Sequence, residues 1–284
     1  MFCKRNRNSI SGFYSRQWGD RSVDLKEKRI LGRSGLEVGR LGVACGYGAP
    51  TTAYEEAFDK GCNYFYWGSF RRLSMAQAIK NILANGQRDK LVVAIQVYNR
   101  IAGMMAGSVE SGLKKAGLDY ADVLLLGWHN SLPSPKLLEA AQKLKESGKV
   151  KFLAMSGHHR PAFPLVAETG IFDIFHIRYN AAHRGAETDI FPKLSQDNRP
   201  GIVIYTATCW GQLLKSGKMP PGEKIPPASD CYRFVLSNPN VNVCMTGPRS
   251  REEMREALRT LELGPLSGKE MDWMKRVGDH VHGK

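Results

Sequence analysis

Gly61-Cys62-Asn63-Tyr64-Phe65-Tyr66-Trp67-Gly68 is the stretch on which the reading of this chain turns. A glycine and an asparagine precede four aromatic residues of high strand propensity, and a second glycine closes the run. That pattern is a short β-strand with a turn at its tip. Comparable runs lie at residues 40–44, 91–97, 123–126, 150–156, 174–178, 202–205 and 243–246, so that with 63–66 there are eight strand candidates. Several are nearly continuous apolar runs, as expected for parallel strands covered on both faces.

Amphipathic helical patterns fill the intervals. Residues 104–116 run to a stopping glycine, Gly117. Residues 135–147 carry Leu137, Leu138, Ala141 and Leu144 on one face and end at Gly148. Residues 251–261 open after Ser250, an N-cap residue, with Glu253 three positions on as in a capping box. Strand and helix therefore alternate, which predicts an α/β fold, a (β/α)8 barrel in preference to an open doubly wound sheet. No GxGxxG follows the first strand, which argues against a Rossmann nucleotide site. No internal sequence repeat is evident.

The chain has 284 residues, 42% hydrophobic and 24% charged, a composition with ample material for one core. No apolar run approaches the ~18 residues of a membrane span. The basic N-terminus lacks the apolar segment of a secretory signal. Six scattered cysteines without CxxC spacing point to a reducing, cytoplasmic setting and away from a zinc site or a disulfide framework. The net charge is +14, and residues 1–40 hold ten lysines and arginines against four acids. Residues 1–27 are expected to form a basic extension ahead of a single domain at 28–284. Such an extension is either a solvated tail or, with Phe13, Tyr14 and Trp18 between its charges, an element attracted to nucleic acid.

Six segments, in order, resemble the aldo-keto reductase family over roughly residues 28–262. LGRSGLEVGRLGVACGYG is similar to that family's opening, and the Gly61–Gly68 stretch to its GxNxFDTAxxYG. GLDYADVLLL, GKVKFLAMSGHH, the RYN of residues 178–180 with GIVIYTATCWGQLL, and VLSNPNVNVCMTGPRSREEMREAL match its later strand regions. The resemblance implies a barrel of that family's type, an NADP(H)-linked oxidoreductase activity, and chemistry at the C-terminal ends of the strands. It also implies that the family's catalytic tetrad is replaced. The aspartate falls on Tyr66, the acid tyrosine on Arg71, the lysine on Gln96 and the histidine on Gly127. Arg71 does not release a proton in the working range, Gln96 carries no charge, and Gly127 offers only space. His129 lies two residues beyond the lost histidine, either as a substitute at the mouth or as a capping group. Tyr66 points either into the mouth or into packing with its neighbours.

By the same resemblance the nicotinamide contacts fall on Ser156, Gly157 and His176, with the stacking position near Thr206 beside Tyr205 and Trp210. The end of the eighth strand, with Gly247, Arg249, Ser250 and Arg251, suits a phosphate at a helix N-terminus; the alternative there is a well-capped helix with solvated arginines. His158 and His159 follow the fifth strand, and His280 and His282 lie in what reads as a tail. No cysteine cluster for iron–sulfur appears. Two functions follow as expectations: an NADP(H)-binding oxidoreductase without ordinary carbonyl reduction, or a pseudoenzyme kept as a nucleotide-sensing or interaction scaffold. A basic nucleic-acid-associated protein is a third.

Overall fold

Burial divides the strand residues into two sets that alternate along the chain, and this parity is the key to the architecture. A computed structural model describes residues 24–70, 72–98 and 100–283. Arg71 and residues 1–23 of the expected basic extension therefore lie outside the described residues. Eight parallel strands form a closed barrel: β1 (Leu41–Ala44), β2 (Tyr64–Trp67), β3 (Val92–Val97), β4 (Ala121–Leu126), β5 (Val150–Ser156), β6 (Ile174–Arg178), β7 (Gly201–Tyr205) and β8 (Val243–Thr246). The helices around it are α1 (Thr51–Asp59), α2 (Ser74–Ala84), α3 (Met105–Ala116), α4 (Pro135–Glu146), α5 (Ala162–Glu168), α6 (Ala186–Asp189), α7 (Ala228–Leu236), α8 (Arg251–Leu263) and α9 (Gly268–His282). All eight expected strands are present, each within two residues of its expected bounds.

Phe65, Trp67, Val93, Ile95, Leu124 and Leu126 point outward into the layer shared with the helices. Tyr64, Val92, Ala94, Val123, Leu125, Ala154, Ile174, Val203 and Val243 fill the barrel itself. A run that looks uniformly apolar thus conceals a period of two, because both faces are dry. Below, a hairpin of Arg29–Ile30 and Glu37–Val38 closes the N-terminal end, with Leu31 and Val38 entering the inner cluster. Leu25, assigned to the extension, is fully buried in the outer core, so the packed domain begins ahead of residue 28.

One arrangement recurs four times at this end. Asn63 Oδ1 accepts Gly39 N–H at 2.8 Å, Asp122 Oδ2 accepts Val93 N–H at 2.8 Å, Asp173 Oδ2 accepts Leu153 N–H at 3.0 Å, and Asn242 Oδ1 accepts Ile202 N–H at 2.8 Å. Each acceptor stands at the foot of an even-numbered strand and takes a backbone donor from the odd strand before it or from the residues leading into that strand. Asn63 also donates to Glu37 O and Lys90 O, and Asn242 donates to Ile30 O, which tie the hairpin to the barrel. Gly61, at φ 90, makes the turn from α1 into β2 that delivers Asn63 to its place.

The C-terminal segment is not a tail. Ser267 and Glu270 form a reciprocal capping box that starts α9, and Trp273, Met274 and Val277 are buried. Gly278 lies flat on Ala181, where a Cβ would come within 2.1 Å of its carbonyl oxygen. Arg184 clamps the helix through Asp279 at 2.7 Å. Replacing Asn63 by Ala removes an acceptor and two donors from the buried base of the barrel. A loss of about 3 kcal/mol in unfolding free energy is expected by denaturant titration, and an unchanged midpoint would contradict this role.

Candidate active site

The parity that fills the lower barrel with Val, Ile and Ala brings polar side chains inward at the top. Tyr66, Gln96, Ser156, His176 and Tyr205 are inward residues near the tops of β2, β3, β5, β6 and β7, and all line one cavity of about 820 Å³. Thr206, Gly247 and Arg249 line it too. Gly127, His129, Gly157, Ser250 and Arg251 lie around it without forming its wall. Arg71 lies outside the described residues.

Tyr66 points into the mouth. Its hydroxyl meets that of Tyr98 at 3.2 Å, and its ring lies against Gly68, where a Cβ would come within 2.3 Å. Burial and the neighbouring Tyr98 push the Tyr66 phenol far above its ordinary range. His176 is enclosed, and its Nε2 shares a hydrogen bond with the Tyr64 hydroxyl at 2.8 Å. Burial drives its pKa down to about 3, so it is neutral at physiological pH.

Gln96 and Gly127 are sterically coupled. A Cβ on Gly127 would lie 2.1 Å from Gln96 Nε2 and 3.0 Å from the Tyr98 ring. The glutamine amide fills the space a side chain at 127 would need. Gly157 has a similar constraint, since its Cβ would lie 1.9 Å from His129 O. The β4 exit loop is drawn over β5 by Trp128 N–H donating to Ser156 Oγ at 3.1 Å and His129 N–H donating to Ser156 O at 2.7 Å. Asn130 Oδ1 accepts the N–H groups of His158 and His159 at 2.8 and 3.0 Å. His129 is bound by the Arg100 guanidinium at 2.7 Å; partial burial and that charge lower its pKa to about 4. His158 stacks edge-on against Tyr205. The Tyr205 hydroxyl donates to Gly157 O at 3.1 Å, and burial raises its pKa to about 12.

At the end of β8 the helix is capped from within. Glu253 N–H donates to Ser250 Oγ at 3.2 Å, but Glu253 Oε2 reaches past the N-cap to accept Arg249 N–H at 2.8 Å. Arg251 leans away to Glu56 on α1 at 2.7 Å, a partner it shares with Arg255. Among the described residues the Arg249 side chain, on the cavity wall, has no ion-pair partner. Gly247 is covered by the Tyr47 ring.

Sequence reasoning did not single out Tyr64, Tyr98, Trp128 or Tyr47. The first two were available from the period of two, standing one inward step from Tyr66 and Gln96. Trp128 and Tyr47 sit on exit loops, where no periodicity operates. Trp128 packs edge-on to Tyr98 at 5.3 Å and is exposed at the rim, as is Trp210.

The model of the Aldo/keto reductase family matches residues 51–221. Norsolorinic acid reductase B of Dothistroma septosporum is 31% identical over 130 residues, 43% of this chain and 32% of that protein. L-galactose dehydrogenase of Arabidopsis thaliana is 24% identical over 228 residues, 67% of this chain and 68% of that protein. The chain thus spans about a third of the first relative's length. Among solved structures, an aldo-keto reductase from Klebsiella pneumoniae in complex with NADPH superposes with a TM-score of 0.73 at 21% identity, covering 89% of this chain and 95% of that one.

The enclosed His176 ties the mouth to stability. Its ordinary value of 6.5 holds in the unfolded chain, against about 3 in the folded one. Above pH 6.5 both states keep it neutral. Below that, the unfolded chain binds a proton that the folded chain refuses, so stability falls with falling pH by up to about 1.4 kcal/mol per unit until about pH 3. His129 acts in the same direction. Urea unfolding at pH 7 and pH 4.5 is expected to show a smaller acid loss for His176→Gln than for the unsubstituted chain; equal losses would rule this out.

Proposed function

Because the chain belongs to the aldo/keto reductase family, we propose that it is a nicotinamide-dinucleotide-binding barrel that does not reduce carbonyls by the family's tyrosine-acid route. The observation that carries this is that Tyr66, Tyr205, His176 and His129 are all shifted away from the range in which a group exchanges protons near neutral pH, and burial and Arg178 hold the wall residue His158 down as well. Tyr66 is pushed far up, Tyr205 up to about 12, and His176 is neutral from about 3 upward. His129 is neutral above about 4 and is engaged by Arg100. General acid catalysis needs a pKa near the working pH. At the positions where the resemblance sets the family's lysine and histidine, Gln96 and Gly127 pack against each other, so restoring either residue alone would displace the other.

The residues present fit a dinucleotide at its nicotinamide end. Ser156 Oγ accepts from Trp128 and keeps its own proton for a carboxamide, while Tyr205 and Trp210 offer aromatic faces. The cavity volume lies within the usual range for small-molecule sites. Arg249 would meet the phosphate end. When bound, the dinucleotide supplies a hydride. The chain orients it and shields it from water. Turnover is then confined to acceptors that need no protein acid, such as a quinone or a flavin.

A second reading, a barrel that senses or binds without turnover, is favoured by Glu253. Its carboxylate already takes the Arg249 N–H at the helix start and sets a negative charge where a phosphate would lie.

Titrating NADPH into the full chain, with tryptophan emission and melting temperature followed together, should give saturable binding; at 100 times Kd the stabilisation is about 2.7 kcal/mol. NADPH-dependent reduction of a simple aldehyde should be absent. Such turnover, lost on Tyr66→Phe, would overturn the proposal. Glu253→Gln removes the competing charge and should tighten NADPH up to about tenfold, equivalent to about 1.4 kcal/mol. An unchanged or weakened affinity would remove Glu253 from the phosphate end.

A further inference from the structure

Gln96 is an anomaly among the buried polar groups of this barrel. It is 6% exposed, it faces the cavity, and among the described residues its amide makes no hydrogen bond. Asn63, Asp122, Asn180 and Asn242 are all satisfied by backbone groups. Its amide atoms open onto the cavity, unlike Trp273 Nε1, which is enclosed without a partner, so the Gln96 amide is free to be met by whatever enters the cavity. Its orientation is also enforced, since the amide nitrogen rests over the bare Cα of Gly127 with the Tyr98 ring beside it.

The surroundings define what the amide can meet. Among the described residues, the charged ones on the cavity wall, Arg249, Glu253 and Glu256, all belong to the β8–α8 side. Around Gln96 stand Tyr66, Ser156, His176 and Leu125, which carry no charge at neutral pH. A charged head group brought there would lose water without gaining a counter-ion among these residues. The walls above are the flat faces and edges of Tyr98 and Trp128. A primary amide presents one acceptor and two donors in a plane. Its complement is another planar group with a donor and an acceptor side by side.

We propose that Gln96 anchors a ligand subsite on the cavity floor that takes an uncharged, planar amide or lactam carried on an aromatic body. The proposal deepens the reading of the mouth as a ligand cavity and rests on that part of it alone, since it needs no bound dinucleotide. Gln96 pairs with the ligand through two antiparallel hydrogen bonds, and Tyr98 and Trp128 cover the ring. Gly127 holds the amide in line for that pairing.

The test uses the full chain without cofactor and 2-quinolone as the probe, with quinoline-2-carboxylate as its charged counterpart, both followed by tryptophan emission. The unsubstituted protein is expected to bind 2-quinolone saturably and at least tenfold more tightly than the carboxylate. Gln96→Leu should weaken 2-quinolone by at least tenfold without lowering the melting temperature, because it removes an unpartnered amide rather than a structural bond. Gly127→Ala leaves the glutamine in place but displaces its amide, and should weaken the probe as strongly. No saturable binding of 2-quinolone, a preference for the carboxylate, or equal affinity in the Gln96→Leu protein would each overturn the proposal. NADPH binding, measured separately on the unsubstituted chain, bears only on the dinucleotide reading, so the two can fail independently.

Discussion

At the base of the barrel, Asn63, Asp122, Asp173 and Asn242 each accept a backbone N–H from the preceding strand or the residues leading into it. Parallel strands cannot be registered by a tight turn, because a helix intervenes between each pair. A slip of one residue would exchange every inward side chain for an outward one. Four repeated side-chain-to-backbone bonds at one end oppose that slip where the strands begin. Asn63 and Asn242 extend the same device to the hairpin that plugs the base. With the register set below, the identity of each inward residue above follows by counting in twos: Tyr64 and then Tyr66, Ala94 and then Gln96, Ala154 and then Ser156, Ile174 and then His176.

The electrostatics of the mouth are a consequence of that placement. A charged side chain at the top inward position of a strand must be compensated inside a low-dielectric barrel, and a neutral one need not be. Here the cavity wall near the strand tops holds phenols, an amide, a hydroxyl and an imidazole kept neutral by burial, and Arg178, the residue of the same parity beyond His176 on β6, does not line it. The chain is strongly basic, yet among the described residues on the cavity wall positive charge is confined to Arg249, beside two glutamates. Most arginines near the mouth are engaged elsewhere: Arg100 with the His129 loop, Arg160 with Asp189, Arg184 with Asp279 and Arg251 with Glu56. Net charge therefore says little about what this cavity accepts.

The eight strands were legible in the sequence because strands buried on both faces leave apolar runs bounded by turns, and Gly61 through Gly68 is such a run. The inward direction of Tyr66 was open between mouth and packing until the register was known, since Phe65 and Trp67 are as aromatic as it is. The Gln96–Gly127 contact was not legible. It arises because β3 and β4 pair Val97 with Leu126, which brings the tips of two strands together across thirty residues of chain. The Arg251–Glu56 pair spans still more sequence. The final helix has a start legible in Ser267 and Glu270, but its apolar stripe is short (Trp273, Met274 and Val277) and is followed by histidines and glycines, a composition that also suits a tail. Glu253 gives its N–H to Ser250 as the capping-box reading expects, but its carboxylate bonds one residue further back than that box requires, to Arg249.

The exit loops carry a conformational cost that bears on the choice between a vacant scaffold and a working cavity. Trp128, Thr206, Cys209 and Trp210 all adopt left-handed backbone conformations, with φ between 51 and 61. Each such residue costs on the order of 1 kcal/mol or more when it is not glycine, and it persists only if its surroundings over-determine it. They do so here: Ser156 Oγ holds the Trp128 N–H and Asn180 Nδ2 holds Thr206 O at 2.8 Å. The strain sets the two tryptophans at the rim, each more than half exposed, above a floor of neutral hydrogen-bonding groups. The backbone strain is held by the protein's own hydrogen bonds, and what it secures is a rim of apolar surface above an amide without a protein partner. The proposed flat, uncharged ligand would compensate both of these, whereas neither adds to the stability of the barrel without it.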